Sequence, residues 1–374
     1  MKFSVSSTKL FAQLQAVKSV IASKSSLQIL ECVLFDLNGD QLTLTASDGE
    51  TTIRTTMAVE NAEGGGKVAS EAKRLIDTLK EFTEQPITFT IDENNFSINM
   101  TSENGQYSFV GANGAEYPEM PVLDNEQGSF MLPASVLLNA INKTIFCAAD
   151  DELRPVMNGI FFDLQPEHST LVATDAHRLV RLILTDLKVA APASFILPKK
   201  PANLLKVALT DKSEEIKVSF SDKNVRFEGG KMLIICRQIE GRYPNYSAVI
   251  PQNNQNKVVV DKATIVNACR RVAVYANTGT SLLKLALSES QIKISAQDID
   301  FSTSADEKIP CTYDGTPMAI GFKAPFLIEI LNAVESEEVI LQLADPARAG
   351  LILPTENQEG QDLLMLLMPM LLND

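Results

Sequence analysis

Phe3-Ser4-Val5, an alternating strand pattern, runs directly into residues 8–24, where Leu10, Leu14, Val17 and Ile21 recur at the spacing of one helix face. The same phrase returns twice. Phe130-Met131-Leu132 precedes residues 133–149, with Val136, Ala140 and Ile141 on one face. Val258-Val259-Val260 precedes residues 261–275, with Ile265, Ala268, Cys269 and Val272. Leu10, Leu137 and Ile265 hold matching places, 127 and 128 residues apart. That period is too long for a solenoid unit, so each copy is expected to have a core of its own.

Other features keep the same spacing. The strand-like runs Leu42-Thr43-Leu44-Thr45-Ala46, Ser169-Thr170-Leu171-Val172-Ala173 and Gln291-Ile292-Lys293-Ile294-Ser295 are followed by Asp48, Asp175 and Asp298. A second helical pattern falls midway through each third, at residues 71–82, 199–212 and 323–335. Hairpins follow, as where Ile87-Thr88-Phe89-Thr90-Ile91 turns at Glu93-Asn94-Asn95 into Phe96-Ser97-Ile98. Tyr117-Pro118 and Tyr243-Pro244 close the first two thirds, the tyrosines 126 residues apart. Each third divides into two similar halves of one helix with several strands. The expected class is α+β, with domains at 1–122, 123–252 and 253–374. Six like half-units favour a closed, pseudo-symmetric assembly over a cleft enzyme.

Composition narrows the chemistry. Of 374 residues, 45% are hydrophobic and 21% charged, which excludes a disordered chain or a disulfide-dense scaffold. His168 and His177 are the only histidines, too few for a His-rich metal site. Cys32, Cys147, Cys236, Cys269 and Cys311 are scattered singly, the usage of a reducing compartment. The N-terminus carries no apolar signal run, and the longest apolar stretch, 363–372, is about half of a membrane span. A soluble, cytoplasmic protein without cofactor or metal is expected.

The formal net charge of -14 argues at first against a nucleic-acid partner. Its distribution argues the other way. The helical segments 8–24, 71–82, 133–149, 199–212, 261–275 and 323–334 hold fifteen basic residues and six acids, leaving the remainder at -23. Lys and Arg are good helix formers, but so is Glu, and Glu shows no such enrichment. Basic helices in an acidic body focus field on a polyanion, and lysine contacts to phosphate carry no base information.

The opening Met1-Lys2-Phe3, Leu27-Gln28-Ile29-Leu30, Arg154-Pro155-Val156-Met157-Asn158-Gly159, Thr174-Asp175-Ala176-His177-Arg178-Leu179, Gly241-Arg242-Tyr243-Pro244-Asn245-Tyr246 and Met368-Pro369-Met370 together resemble the bacterial DNA polymerase III beta subunits, the sliding clamps, over the whole length. The resemblance implies a DNA-clamp fold: three repeated domains, each with two helices facing inward and sheets outside, closed into a ring by a head-to-tail homodimer. It implies non-specific encirclement of double-stranded DNA. It also implies partners recruited by short peptide motifs: the polymerase III catalytic subunit, the clamp loader, other polymerases and repair proteins. Helices of 12 to 17 residues would be roughly 18–25 Å deep.

Carried over by resemblance, the partner-peptide pocket comprises Met157, Thr174, His177, Arg178, Leu179, Pro244, Val249, Phe326, Met368, Pro369 and Met370. The ring joint places Tyr107 and Phe109 against Val274 and Tyr275. DNA contacts fall to Lys24 by resemblance, and to Lys73, Arg74, Lys199, Lys200, Lys206, Arg270 and Arg271 mainly by helix charge. Ala176 stands where the family commonly has Gly and Ala248 where an Arg is frequent. Thr280 replaces an apolar residue, and the chain ends Leu371-Leu372-Asn373-Asp374. These departures predict altered peptide preferences.

Enzymatic readings are weak. Asp150-Asp151-Glu152 could hold a divalent ion but reads as a solvated acidic loop. Asp175 and His177 lack a nucleophile in a strand-turn-helix elbow. Gly64-Gly65-Gly66-Lys67 lacks the upstream Gly and the Ser or Thr of a phosphate loop. No active site is found. The competing class is a three-domain peptide-binding scaffold without DNA, which would leave the acid-poor helices unexplained.

Overall fold

The computed structural model describes residues 1–21, 25 and 27–372. Lys24, Asn373 and Asp374 lie outside the described residues. All six expected helices form: α1 (Ser7–Lys18), α2 (Ala72–Leu79), α3 (Ala134–Thr144), α4 (Lys199–Ala208), α5 (Lys262–Ala273) and α6 (Ala324–Ala333). Each is shorter than its apolar pattern. At 8 to 12 residues they are roughly 12–18 Å long, not 18–25 Å.

Local chemistry sets these ends. The Ser6 hydroxyl accepts the Lys9 N–H and starts α1, and the Asp261 carboxylate accepts the Thr264 N–H at 2.7 Å and starts α5. Residues 133–149 stop being α-helical at Thr144, whose hydroxyl donates back to the Ala140 carbonyl at 2.7 Å, and Ile145–Cys147 tighten into a 3-10 turn. The shorter helices keep the charge bias. Eleven basic residues lie within them, against two acids, Asp77 and Glu329.

The chain forms two compact units. The first takes Met1–Leu138 and Lys200–Gln238. It holds a five-stranded sheet in the order Glu60–Glu63, Lys2–Ser6, Pro86–Ile91, Ser97–Thr101, Gln106–Val110. Its second sheet has nine strands: Ala112–Asn113, Gly66–Glu71, Cys32–Asn38, Gln41–Ser47, Thr51–Ala58, Met232–Arg237, Asn224–Gly229, Glu215–Phe220, Gly128–Pro133. The second unit takes Asn139–Lys199 and Ile239–Asp374. Its eight-stranded sheet runs Ala193–Pro198, Gly159–Leu164, Ser169–Thr174, Arg178–Leu184, Gln361–Leu367, Gly350–Pro354, Glu338–Leu343, Asn256–Asp261. A four-stranded sheet runs Thr303–Pro310, Gln291–Asp298, Leu282–Ser288, Met318–Lys323.

The repeat has a physical counterpart in burial and register. Leu10, Leu137 and Ile265 are each fully buried. In the first unit Arg54 lies opposite Leu233, and in the second Arg181 lies opposite Leu364, so both large sheets are joined at equivalent strands. The Tyr-Pro phrase also gains a role. The Tyr117 hydroxyl accepts the Ser47 N–H at 3.0 Å and donates to the Cys32 carbonyl at 3.3 Å. Tyr243 donates to the Val172 carbonyl at 3.5 Å in the equivalent place. Burial pushes the Tyr117 phenol up to about 12 and also raises that of Tyr243.

Candidate partner groove, helix cations and sheet edges

The turn between Ser169–Thr174 and Arg178–Leu184 organises the first site. Asp175 Oδ1 accepts the backbone N–H groups of His177 (3.0 Å) and Arg178 (2.9 Å). The Thr174 hydroxyl donates to the Arg178 carbonyl at 2.7 Å and accepts the Ala176 N–H at 3.2 Å. This cinching forces Ala176 to φ 74°, a conformation that favours glycine. Asp175 therefore orients Arg178 rather than forming a dyad with His177.

Arg178 enters the protein with only 8% of its surface exposed. Its Nε donates to Asp175 Oδ2 at 2.9 Å, one Nη donates to the Phe146 carbonyl at 2.8 Å, and the other pairs with Glu329. Burial works against its charge, but the Glu329 hydrogen bond and its other acidic neighbours outweigh this, and its pKa is raised. The guanidinium carbon lies 4.3 Å from the Phe326 ring centroid, and His177 stacks on the same ring at 6.2 Å. The tail is tied in by backbone: the Met368 N–H donates to the His177 carbonyl and the Met370 N–H to Gly321, each at 2.8 Å. A Cβ at Gly321 would come within 2.7 Å of the Met370 carbonyl oxygen, so the tail's approach requires glycine there.

His177, Arg178, Phe326, Met368 and Met370 thus come together, with Pro369 half-buried between the two methionines. Met157, Thr174 and Leu179 are buried; Leu179 packs in the core with Val172, Tyr243 and Leu366. Pro244 is exposed, as is Val249 at 57% on the turn Tyr246–Val249, so Val249 is not a core residue. Ala248 and Thr280 are exposed as well.

A polar cavity of about 440 Å3 beside Arg178 is lined by Phe146, Ala149, Asp150, Arg154, Asp175 and Lys199. Lys199 pairs with Asp150 at 2.6 Å and Arg154 with Asp151 at 2.8 Å, so two carboxylates of the acidic triplet are already neutralised. Among the described residues no cluster of His, Cys, Asp and Glu could hold a metal ion.

The helix cations divide by partner. Lys73 and Lys206 are exposed and, among the described residues, have no ion pair. Arg270 has only a 3.4 Å contact to the Asn332 side-chain oxygen. Arg74 pairs with Glu71 at 3.0 Å, Lys200 with Asp48, and Arg271 holds Glu307 through two 2.7 Å bonds. Lys143 is buried against Glu335.

Three family models match the chain in tandem: the N-terminal, central and C-terminal domains of the DNA polymerase III beta subunit, over residues 1–121, 131–245 and 247–370. The chain belongs to the DNA polymerase III beta-subunit family, the sliding clamps. It is 27% identical to the beta sliding clamp of Haemophilus influenzae over 99% of this chain and 100% of that one. It is also 27% identical to that of Synechococcus elongatus over 92% of each. A crystal structure of the Pseudomonas aeruginosa sliding clamp bound to griselimycin superposes with a TM-score of 0.94 at 24% identity, covering 100% of both chains. That of the Thermotoga maritima beta subunit gives 0.91 at 22%, again over 100% of both. The sliding-clamp fold is therefore shared where little sequence is.

Two apolar surfaces of this clamp are exposed, one on a sheet edge and one at a helix end. On Gln106–Val110, an edge strand, Tyr107 is 39% and Val110 70% exposed, and Phe109 is half-buried. Tyr107 meets Phe82 edge-on at 5.5 Å. At the end of α5, Val274 is 80% and Tyr275 44% exposed. Nearby, the turn after Gln291–Asp298 exposes Ile299 (80%) and Phe301 (74%); the Asn277 amide donates to Asp298 at 3.2 Å and links the two segments. Sequence reasoning missed Ile299 and Phe301. The alternation Asp298-Ile299-Asp300-Phe301, an apolar residue after each acid in a turn, is the signal that could have found them.

Proposed function

We propose that this sliding clamp acts as a head-to-tail homodimer, three domains from each chain (1–122, 123–252, 253–374) making a ring around duplex DNA. The observation that carries the reading is the charge bias of the helices, eleven cations against two acids in a protein of net charge -14. Such a surface holds a polyanion loosely and without sequence preference, which suits sliding; tight base contacts would arrest it. Lys73, Lys206 and Arg270, not engaged by carboxylates, are the first cations offered to phosphate. Lys24 and the paired Arg74, Lys199, Lys200 and Arg271 complete the set.

The bare strand Gln106–Val110 and the exposed end of α5 support the joint. Unpaired strands with apolar side chains are a liability unless covered. Tyr107 and Phe109 of one protomer would meet Val274 and Tyr275 of its partner, with Ile299 and Phe301 extending the contact. The groove around Arg178, Phe326 and Met368-Pro369-Met370 would take peptide tails of the replicative polymerase, the clamp loader, other polymerases and repair proteins. Methionines and a ring adapt to varied apolar anchors. The protein works without catalysis, in the cytoplasm where the chromosome lies. Loading onto a nicked circle tests the reading: retention in high salt, followed by release on a single cut, is the expected result. Loss with salt before any cut would overturn encirclement.

A further inference from the structure

The repeat allows the two large sheets to be compared position by position, and one difference is chemical. In the second unit the sheet face beneath the segment after Tyr243 is filled. Phe161 stacks on Tyr243 at 4.7 Å, Tyr246 donates to Asp163 at 2.9 Å, and Arg181 donates to Asp362 at 2.9 Å. In the first unit the equivalent places hold Leu34 for Phe161, Met120 for Tyr246 and Arg54 for Arg181. The place of Asp362 is taken by Lys231, because Thr56 faces Lys231 as Ile183 faces Asp362.

The smaller side chains leave a cavity of about 470 Å3, in the range of ligand sites. Its floor is Leu34, Leu233 and Ile235, and its cover is residues 118–123. Two arginines flank it. The Arg54 side chain makes no ion pair or hydrogen bond among the described residues, whereas Arg181 has Asp362; the Arg54 Nε, like that of Arg181, is buried without a partner. Arg226 also has a buried, unpartnered Nε, and its one carboxylate contact is Glu228 at 3.6 Å. Lys67 adds a third cation, paired at 3.5 Å with Asp36, and Glu119 adds one exposed carboxylate. Residues 118–123 have no regular secondary structure and form no backbone hydrogen bond among the described residues, so their C=O groups and the N–H groups of Glu119, Met120, Val122 and Leu123 are open to pairing.

We infer that this cavity is a second peptide site: it binds an extended segment whose apolar side chain fills the Leu34–Leu233–Ile235 floor and whose neighbouring carboxylates pair with Arg54 and Arg226. A buried guanidinium nitrogen without a partner disfavours the empty state, and a carboxylate supplies the acceptor it lacks. The unpaired backbone of residues 118–123 favours a peptide over a compact small molecule.

The test uses the full-length protein with methyl-labelled Leu, Ile and Val and the acetylated, amidated peptide EVLVE as probe. Saturable shifts at the Leu34, Leu233 and Ile235 methyls are expected. The neutral peptide QVLVQ should bind about tenfold or more weakly, and so should the probe to the variant Arg54→Ala/Arg226→Ala. The variant Leu34→Phe/Met120→Tyr, which imports the filling of the second unit, should abolish the shifts while keeping the unfolding midpoint. Equal affinity for EVLVE and QVLVQ, unchanged binding to the filled variant, or shifts confined to Leu179 and Leu366 would overturn the inference.

Discussion

The Arg178 guanidinium sits over the Phe326 ring, 4.3 Å from its centroid, while its nitrogens are held by Asp175, Glu329 and the Phe146 carbonyl. The cation therefore fixes the ring that would meet an incoming peptide. Arg178→Ala should weaken binding of a polymerase C-terminal peptide by about tenfold or more, and should destabilise the fold by about 1–3 kcal/mol because the Phe146 carbonyl and the half-buried Asp175 lose a charged donor. Phe326→Ala should weaken the peptide with a smaller stability loss. Fluorescence anisotropy and urea unfolding separate the two. Unimpaired peptide binding by Arg178→Ala would remove this groove from partner recognition.

Ala176 adopts a left-handed backbone, φ 74°, at the turn that aims Arg178. Replacing it with glycine relieves a steric cost of about 1 kcal/mol. Ala176→Gly should raise the urea midpoint, and a lowered midpoint would show that the Cβ contributes packing that outweighs the strain.

Among the helix cations, Arg270 meets only a neutral amide, whereas Arg271 is bound twice by Glu307. Charge reversal should then separate them. Arg270→Glu should weaken binding to a short linear duplex, and flatten the salt dependence of that binding, more than Arg271→Glu does, and Lys206→Glu should behave like Arg270→Glu. Identical affinity for the duplex in wild type and the Arg270→Glu/Lys206→Glu pair would count against helix-mediated DNA contact.

Tyr117, its pKa pushed up to about 12 by burial, makes stability fall in alkali. The raised folded value means that its contribution is intact below the ordinary phenol pKa of about 10 and is lost as pH climbs from about 10 to about 12. Tyr117→Phe should cost about 1 kcal/mol at neutral pH, because the Ser47 N–H loses its acceptor, and should reduce the alkaline drop. Thermal unfolding at pH 8 and pH 11 measures both effects. An unchanged drop would assign it to other buried phenols and thiols.

Removing residues 368–374 deletes the backbone ties from Met368 to His177 and from Met370 to Gly321. The truncated protein should still be retained on circular DNA and should lose affinity for the polymerase. Persisting affinity would locate the partner site elsewhere.

Much of this architecture was legible because apolar spacing reports burial: Leu10, Leu137 and Ile265, matched by period alone, are all fully buried. Helix ends were not, since a hydroxyl bonding back at Thr144 carries no periodic signal. The count of helix cations could be read from the sequence, but their pairing could not, because partners such as Asp48 for Lys200 and Glu307 for Arg271 are remote along the chain. The groove was reached through likeness to a family. The buried Arg178 and the chain end alone would have suggested an ordinary ion pair and a frayed tail.

The middle third of the chain gives its strands Met232–Arg237 to a neighbour in the first unit and Arg178–Leu184 to a neighbour in the second. Excised from the chain, it would carry two raw edges, each rich in Leu and Ile. Such a fragment invites self-pairing and precipitation in place of folding. Evolution by shuffling this module alone is thereby obstructed, and a nick in one flank should be felt across a whole sheet during expression.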